Sequence, residues 1–565
     1  MATGPCLAIS RRVSVADRIP LVASLRGASG DQVRGDVVAG LTTAVMLVPQ
    51  AMAYALLAGL DPIVGLYAST IPLALYALFG SSRELAVGPV AMVSLLVATA
   101  IASLGITDPA ETLAVAALLA LLVGGIQLVM GLVRLGFLVK FLSHPVLVGF
   151  TAAAALIIGA SQLKHVLGVN IARSHYVHET LIAAAEQASS INATALAIAA
   201  LSVGALISLK HLAPRFPRFL FVVAAATVAV FATGANVATV GTVPGGLPSP
   251  SLPATSWQLV ADLLPIALTI SLIAFMESIA VAKSFARKNR VEVDPDQELR
   301  ALGLANLAAG IFRGYPITGG FSRTAVNAQA GARSGLASLT TAIVVALSLL
   351  FLTPLFFYLP KAVLAAIILT AVAGLINVGE LRHLWRVSRP DFALAGITFV
   401  ATLSLGIELG IVLGVAASIL WFVASVSKPH IAVLGRVPGT RTYRNLNRNP
   451  EAEGVDGVLA VRIDAPLFFA NTAFLKKSLR SLEASDATPV EAVVIDASAI
   501  GSVDASGAEA LLEMLEDYAA RGKRYSLAAV RGPVLDVLKA ADEDGLLEGN
   551  VAMNVARAVD DLVST

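Results

Sequence analysis

The sequence is poor in charge and almost without cysteine. Charged residues make up 14% of its 565 positions, against roughly a quarter in ordinary soluble chains. That is too little charge to cover a water-soluble globule of this length. The single cysteine, Cys6, excludes a disulfide framework and a thiolate metal site. There is no Walker motif, so nothing points to ATP as the driving force. The histidines form no metal-ligand cluster: His144, His165, His175 and His178 fall near expected loops. An enzyme reading lacks support, and no cofactor is expected. A net charge of +2 gives no basis for nucleic-acid binding. A secretory pattern is also missing. Arg11, Arg12, Arg18, Arg26 and Arg34 interrupt the N-terminus, so residues 1–34 read as a cytosolic segment.

What the sequence has instead is apolar length. Hydrophobic residues reach 57%, and runs of about 20 residues, enough to cross a bilayer core, recur up to residue 430. Spans are expected near 35–57, 62–80, 86–103, 111–132, 145–167, 193–209, 218–234, 259–283, 300–313, 320–333, 336–357, 362–379, 390–406 and 408–427. That makes an α-helical polytopic membrane protein with about fourteen spans. With the N-terminus in the cytosol, the cytosolic loops carry Arg83; Arg134 and Lys140; Lys210, Arg215 and Arg218; Lys283, Arg287, Lys288 and Arg290; Arg382, Arg386 and Arg389. The opposite loops are poor in Lys and Arg, and 235–256 has no charge at all. This is the positive-inside asymmetry. An even count returns the C-terminus to the cytosol.

Two spans are broken. Gly88-Pro89 interrupts the third and Tyr315-Pro316-Ile317-Thr318-Gly319-Gly320 the tenth, while 300–313 is short and amphipathic. Irregular backbone at membrane depth survives only where protein or a wet cavity satisfies it. The breaks hold matching positions if residues 35–235 and 258–428 are two seven-span repeats. An odd-span repeat used twice must be inverted, and paired interrupted helices point to a transport site.

A half-helix that begins inside a membrane presents unpaired N–H groups and the positive pole of its dipole. Two such ends make an anion site, here at Val90-Ala91-Met92 and Ser322-Arg323-Thr324. Taken alone, Gly88-Pro89 also reads as an ordinary interhelical turn. Arg323 reads either as a fixed charge in the site or as a side chain snorkelling to the interface. Gln50, after Pro49, shares a helix face with Tyr54 at i+4. The pair either donates to a bound oxyanion or, for Gln50, bonds a neighbouring helix. Glu277 is the one carboxylate well inside an expected span, and Lys283 at i+6 is not placed to pair with it. It reads as a proton carrier or as a structural hydrogen-bond partner.

At these residues the chain resembles the SulP family of sulfate permeases and related anion transporters. The matching runs are Gly35-Asp36-Val37-Val38-Ala39-Gly40-Leu41-Thr42, Pro49-Gln50-Ala51-Met52-Ala53-Tyr54, and Asp61-Pro62 through Gly65-Leu66-Tyr67. They continue with Gly80-Ser81-Ser82-Arg83, Val87-Gly88-Pro89, and Phe321 to Asn327 with Ala330-Gly331-Ala332. The resemblance implies a seven-plus-seven inverted repeat divided into core and gate domains, an elevator-type motion, and a homodimer in the cell membrane. It places the anion at Gln50, Tyr54, Val90, Ala91, Ser322 and Arg323, and proton coupling at Glu277. Some members carry an aromatic where Val90 stands, which leaves the size of the anion open. Sulfate taken up with a proton is expected first. Bicarbonate, chloride, C4-dicarboxylates or sodium coupling are the alternatives, and a membrane sensor without transport is the alternative from another class.

Residues 437–565 alternate strand and helix, which favours an α/β layer. Segments are expected at 458–463, 471–482, 492–495, 505–518, 525–530 and 533–540. This part resembles the STAS domain, with Ile495-Asp496, Ile500 and Asp504-Ala505-Ser506-Gly507 in its signature loop. Ser506 falls where bacterial antagonists of this type take a phosphate. With Glu509 it also forms S-x-x-E, a capping box.

Overall fold

The computed structural model describes residues 19–106, 108–140, 143–171, 177–213, 216–289, 291–485 and 488–564. Cys6, Arg11, Arg12, Arg18, His175, Arg215 and Arg290, and the side chains of Lys140, Arg287 and Lys288, lie outside what is described. The chain forms two units, Met1–Ala416 and Ala417–Thr565.

The first unit is helical. Its principal helices are α1 (Gly30–Ala58), α2 (Ile71–Phe79), α3 (Ala91–Ser103), α4 (Pro109–Leu132), α5 (His144–Ser161), α6 (Ala193–Leu212) and α7 (Arg218–Thr233). After them come α8 (Trp257–Asn289), α9 (Pro295–Ile311), α10 (Phe321–Gln329), α11 (Leu336–Phe351), α12 (Lys361–Val372), α13 (Arg389–Leu405) and α14 (Ile407–Val426), the last crossing into the second unit. Among the described residues, eight helical stretches are long and apolar enough to cross a membrane. Caps set several boundaries. Ser29 accepts from the Gln32 amide at the start of α1, and Gly59 ends it in the left-handed region at φ 86°. Asp108 and Asp294 cap α4 and α9, each followed by a proline at the first helical position.

Each expected span contains a helix, and the bounds differ in detail. The second is two pieces, Pro62–Tyr67 and α2, because Pro72 has no N–H to continue the first turn backwards. The twelfth stops at Val372, and a separate amphipathic helix, Val378–Val387, follows. The helices that follow the two sequence breaks are among those too short to span. At 1.5 Å per residue, α3 is about 20 Å long and α10 about 13 Å, against a core of about 30 Å.

Packing relations recur between the halves with their partners exchanged. α1 rests on α11 as α8 rests on α4; α2 meets α11 as α9 meets α4; α5 meets α13 as α12 meets α6. The outward faces of α6, α7 and α13 expose Leu201, Val228, Phe231 and Val400, a surface suited to lipid.

The closest of these seams is built from small residues. A Cβ on Gly124 of α4 would lie 2.5 Å from the Leu307 amide nitrogen, and one on Gly303 of α9 would lie 2.6 Å from that of Leu128. The stretch expected as a short amphipathic span is therefore a helix enclosed by protein. It carries a fully buried carboxylate, Glu298, that was not anticipated. Glu298 accepts from Tyr76 Oη (2.9 Å), Ser81 N (2.8 Å), Ser81 Oγ (2.7 Å) and Ser82 N (2.7 Å). Glu298→Ala would orphan these donors at a cost of about 2 to 5 kcal/mol. A lower melting temperature of the purified protein is the expected reading.

The second unit contains β3 (Ile431–Arg436), β4 (Tyr443–Asn445), β5 (Val458–Ile463), α15 (Thr472–Ser485), β6 (Ala492–Asp496), α16 (Ala505–Ala520), β7 (Arg524–Ala528), α17 (Gly532–Ala541), β8 (Val551–Ala552) and α18 (Val555–Val563). The sheet order is β4-β3-β5-β6-β7-β8, with β5 to β8 parallel and β3 antiparallel to both its neighbours. Val461, Ile463, Val493, Ile495, Leu515 and Leu527 form its core. The strands and helices expected between 458 and 540 are present. β3 begins before the expected boundary at 437, and β4, β8 and α18 are additions. The capping-box reading of Ser506 is corrected. Asp504 caps α16 by accepting from the Gly507 amide (2.7 Å), and its second oxygen accepts from the Phe469 amide (3.1 Å). Ser506 lies exposed inside the first turn.

Candidate functional site

The two sequence breaks meet. Val87–Gly88 (β1) pairs antiparallel with Thr318–Gly319 (β2), Val87 opposite Gly319 and Gly88 opposite Thr318. The pair is buried, and each strand leads into one short helix. Val90 and Gly320 occupy the N-cap positions of α3 and α10, and neither end has a side-chain cap. The first-turn N–H groups of both helices are thus left for another acceptor.

Polar side chains from longer helices fix this crossing. Asn306 of α9 donates to the Ile317 carbonyl (3.1 Å) and accepts from the Ile317 amide (2.7 Å), while Gln127 of α4 accepts from its Nδ2 (2.9 Å). Ser278 of α8 accepts from the Gly319 amide (2.8 Å) and lies 2.6 Å from the Thr318 hydroxyl, which also donates to the Ala274 carbonyl (2.5 Å). Asn327 donates to the Glu84 carbonyl (2.9 Å). Irregular backbone is buried here because each of these groups has a partner.

Arg323 sits at the centre. It is 2% exposed, and its Nη1 donates to the Pro89 carbonyl at 2.7 Å, which ties the start of α10 to the approach of α3. The snorkelling alternative is removed by that burial. Nη2 lies 3.0 Å from where a Cβ on Gly320 would stand, so the glycine that caps α10 makes room for the guanidinium. Among the described residues Nε and Nη2 have no protein partner; nor do Oε1 and Nε2 of Gln50 or Oε2 of Glu277. Gln50 is 1% exposed and, among the described residues, bonds no neighbouring helix, against the structural alternative. Tyr54, Glu277 and Tyr315 are all within electrostatic reach of Arg323. Arg323 of α10 and Glu277 of α8 therefore bring unsatisfied polar groups within reach of each other, with Tyr54 of α1 beside them, in an apolar interior where such groups are costly unless a ligand meets them.

The other expected residues divide. Val90 and Ala91 are buried at the α3 end. Ser322 is exposed in the first turn of α10. The Thr324 hydroxyl is taken up by the scaffold: it donates to the Gly320 carbonyl (2.8 Å) and accepts from the Ala86 amide (3.1 Å). Ser506 belongs to the second unit. Not anticipated were Asn306, Ser278, Gln127 and the Ser94–Tyr315 pair, whose oxygens are 3.0 Å apart. Their only signal in the sequence is polarity inside apolar runs.

Residues 33–398 match the sulfate permease family and 449–558 the STAS domain. The chain belongs to the sulfate permease family. This permease is 42% identical to sulfate transporter 4.1, chloroplastic, of Arabidopsis thaliana, over 91% of its own length and 77% of the relative's. It is 37% identical to a probable sulfate transporter of Mycobacterium tuberculosis, covering 93% of this chain and 94% of that one. Its fold matches the murine solute carrier 26 family member A9 anion transporter in the inward-facing state. There the TM-score is 0.89 at 27% identity, over all of this permease and 97% of the other chain.

Proposed function

We propose that this protein takes up sulfate across the cell membrane together with a proton. The observation that carries the reading is the buried pairing of residues 87–88 with 318–319, which sets two uncapped helix ends around Arg323. Each helix end contributes about half a positive charge, and Arg323 a whole one, so the site offers about +2. That suits a dianion. An ionised Glu277 subtracts one charge and opposes sulfate, whereas a protonated Glu277 restores the match. Sulfate and a proton then load together and leave together. The names of the relatives, sulfate transporters of a plant and a bacterium, support the choice of anion.

The path across is an elevator. A core of α1–α4 and α8–α11 holds the site and slides against a gate of α5–α7 and α12–α14; the separate packing of α5 with α13 and α6 with α12 supports that division. The working form is a homodimer with seven spans in each repeat and both termini in the cytosol. A phosphate on exposed Ser506, near a helix N-terminus, would be tolerated there and would set the rate.

Uptake of labelled sulfate into proteoliposomes, with and without an inward proton gradient and against a panel of competing anions, tests the reading. Uptake should rise with the gradient, and sulfate should compete better than bicarbonate or chloride. Glu277→Gln, fixed in the neutral form, should bind sulfate and lose the dependence on the gradient. Full gradient-driven uptake by that variant would remove Glu277 from the coupling. Failure of sulfate to compete would remove it as the substrate.

A further inference from the structure

The second unit contains a charged cleft that transport does not use. It has a volume of about 310 Å³ and is lined by His430, Arg444, Asn445, Arg448, Arg462 and Asp464, with Asn449. Sequence and hydrogen bonding explain how these residues converge. β4 pairs with β3 and delivers Arg444. The chain then turns tightly: Asn445 accepts from the Asn447 amide through Oδ1 (2.9 Å), and its carbonyl accepts from the amides of Arg448 (3.1 Å) and Asn449 (3.0 Å). That turn folds Arg448 back beside Arg444 and leaves the Asn445 Nδ2 available as a donor.

The far wall is already neutralised. Asp464 accepts from Arg462 twice, through Oδ1 (2.5 Å) and Oδ2 (3.2 Å), and lies 2.9 Å from His430 Nδ1. The hydrogen bonds from Arg462 hold the Asp464 carboxyl below the usual carboxylate range. Asp464 is therefore committed to Arg462, and Arg444 and Arg448 gain no counter-charge from it. Among the described residues neither of these two arginines makes an ion pair, unlike Arg441 with Asp560.

We infer that this cleft is an oxyanion site, in which Arg444 and Arg448 with the Asn445 amide hold a doubly charged tetrahedral group, a phosphate, either free or at the head of an anionic lipid. Two guanidinium forks match two charges and several acceptor oxygens. A lipid source is within reach, because His430 follows the last residue of α14 by only three intervening residues, Ser427, Lys428 and Pro429. The site does not depend on which anion the membrane unit carries.

The test is hydrogen exchange of residues 443–449 in the full-length protein. One arm uses nanodiscs of zwitterionic lipid with added inorganic phosphate; the other uses nanodiscs containing phosphatidic acid and no free phosphate. At ten times the dissociation constant, exchange should slow about tenfold. Slowing in the first arm identifies a free oxyanion, and slowing in the second alone identifies the lipid headgroup. The double variant Arg444→Gln/Arg448→Gln, altered only at exposed positions, should lose the effect, while Arg441→Gln, outside the cleft, should keep it. No slowing in either arm, or equal slowing in the double variant, overturns the assignment.

Discussion

Arg323→Ala should lower sulfate uptake by roughly thirtyfold to several thousandfold while the protein still folds. The size follows from what the side chain does. A buried charge that meets an anion is worth about 2 to 5 kcal/mol when one partner is removed, and each 1.4 kcal/mol is about tenfold in an equilibrium. Arg323 is buried at 2% exposure, and two of its three nitrogens are unpartnered. Its replacement removes the whole charge of the site and leaves only the helix ends. Glu277 would then lack the nearby cation and, with it protonated, sulfate would face a site of only about +1.

Folding should persist, because the crossing is fixed mainly by Asn306, Ser278 and Thr324. The lost bond from Nη1 to the Pro89 carbonyl costs about 1 to 3 kcal/mol, read as a modest fall in melting temperature. Arg323→Lys separates charge from geometry. An ammonium keeps the charge but cannot hold the Pro89 carbonyl and present two further planar donors. It should fall between the wild type and alanine. Wild-type uptake by Arg323→Ala would mean that the anion is held elsewhere.

The parts of this site legible in the sequence were those whose meaning is local. Gly88-Pro89 and Tyr315 to Gly320 break apolar runs, and a break can be read from the residues that make it. Arg323 is a charge where charge is expensive, and the match of the two breaks across a repeat said that they would meet. Asn306 and Ser278 carry no such mark. Asn306 acts on Ile317, eleven residues on, and Ser278 on Gly319. Those contacts exist only because the chain doubles back, which no local pattern encodes. The short, amphipathic ninth span has a related explanation: the polar residues of α9, Glu298 and Asn306, face protein rather than water. In the second unit β5 and β6 are near-continuous apolar strands of a parallel sheet and were visible. β4 has three residues and β8 two, and so little chain carries no periodicity. The helix start at 505 was legible, but its cap was not, because Ser506 and Glu509 have the spacing of a capping box while Asp504, two residues earlier, is the residue that accepts from Gly507.

Gly303→Leu should prevent recovery of a monodisperse, active protein. A Cβ there would stand 2.6 Å from Leu128 N, 2.9 Å from the Gly124 carbonyl oxygen and 2.9 Å from Leu128 Cα. All three neighbours are backbone, so no rotamer relieves the clash and the helices must separate. Overpacking of this kind costs about 1 to 3 kcal/mol where side chains can adjust, and more where they cannot. Separation also reaches the site. α9 carries Asn306, which holds Ile317 immediately before β2, and Glu298, which holds Ser81 and Ser82 after α2. A shift of α9 therefore moves one broken strand relative to the other and spreads the two helix ends. Gly303→Ala should show the same effect in part, as reduced uptake and a lower melting temperature. Gly125 provides the control: it lies next to Gly124 on α4, yet a Cβ there meets nothing within 4 Å. Gly125→Leu should leave expression and uptake near wild type. If Gly303→Leu behaved in the same way, the α4–α9 seam would be loose, and the rigid scaffold that keeps the two half-helices opposed would have to lie elsewhere.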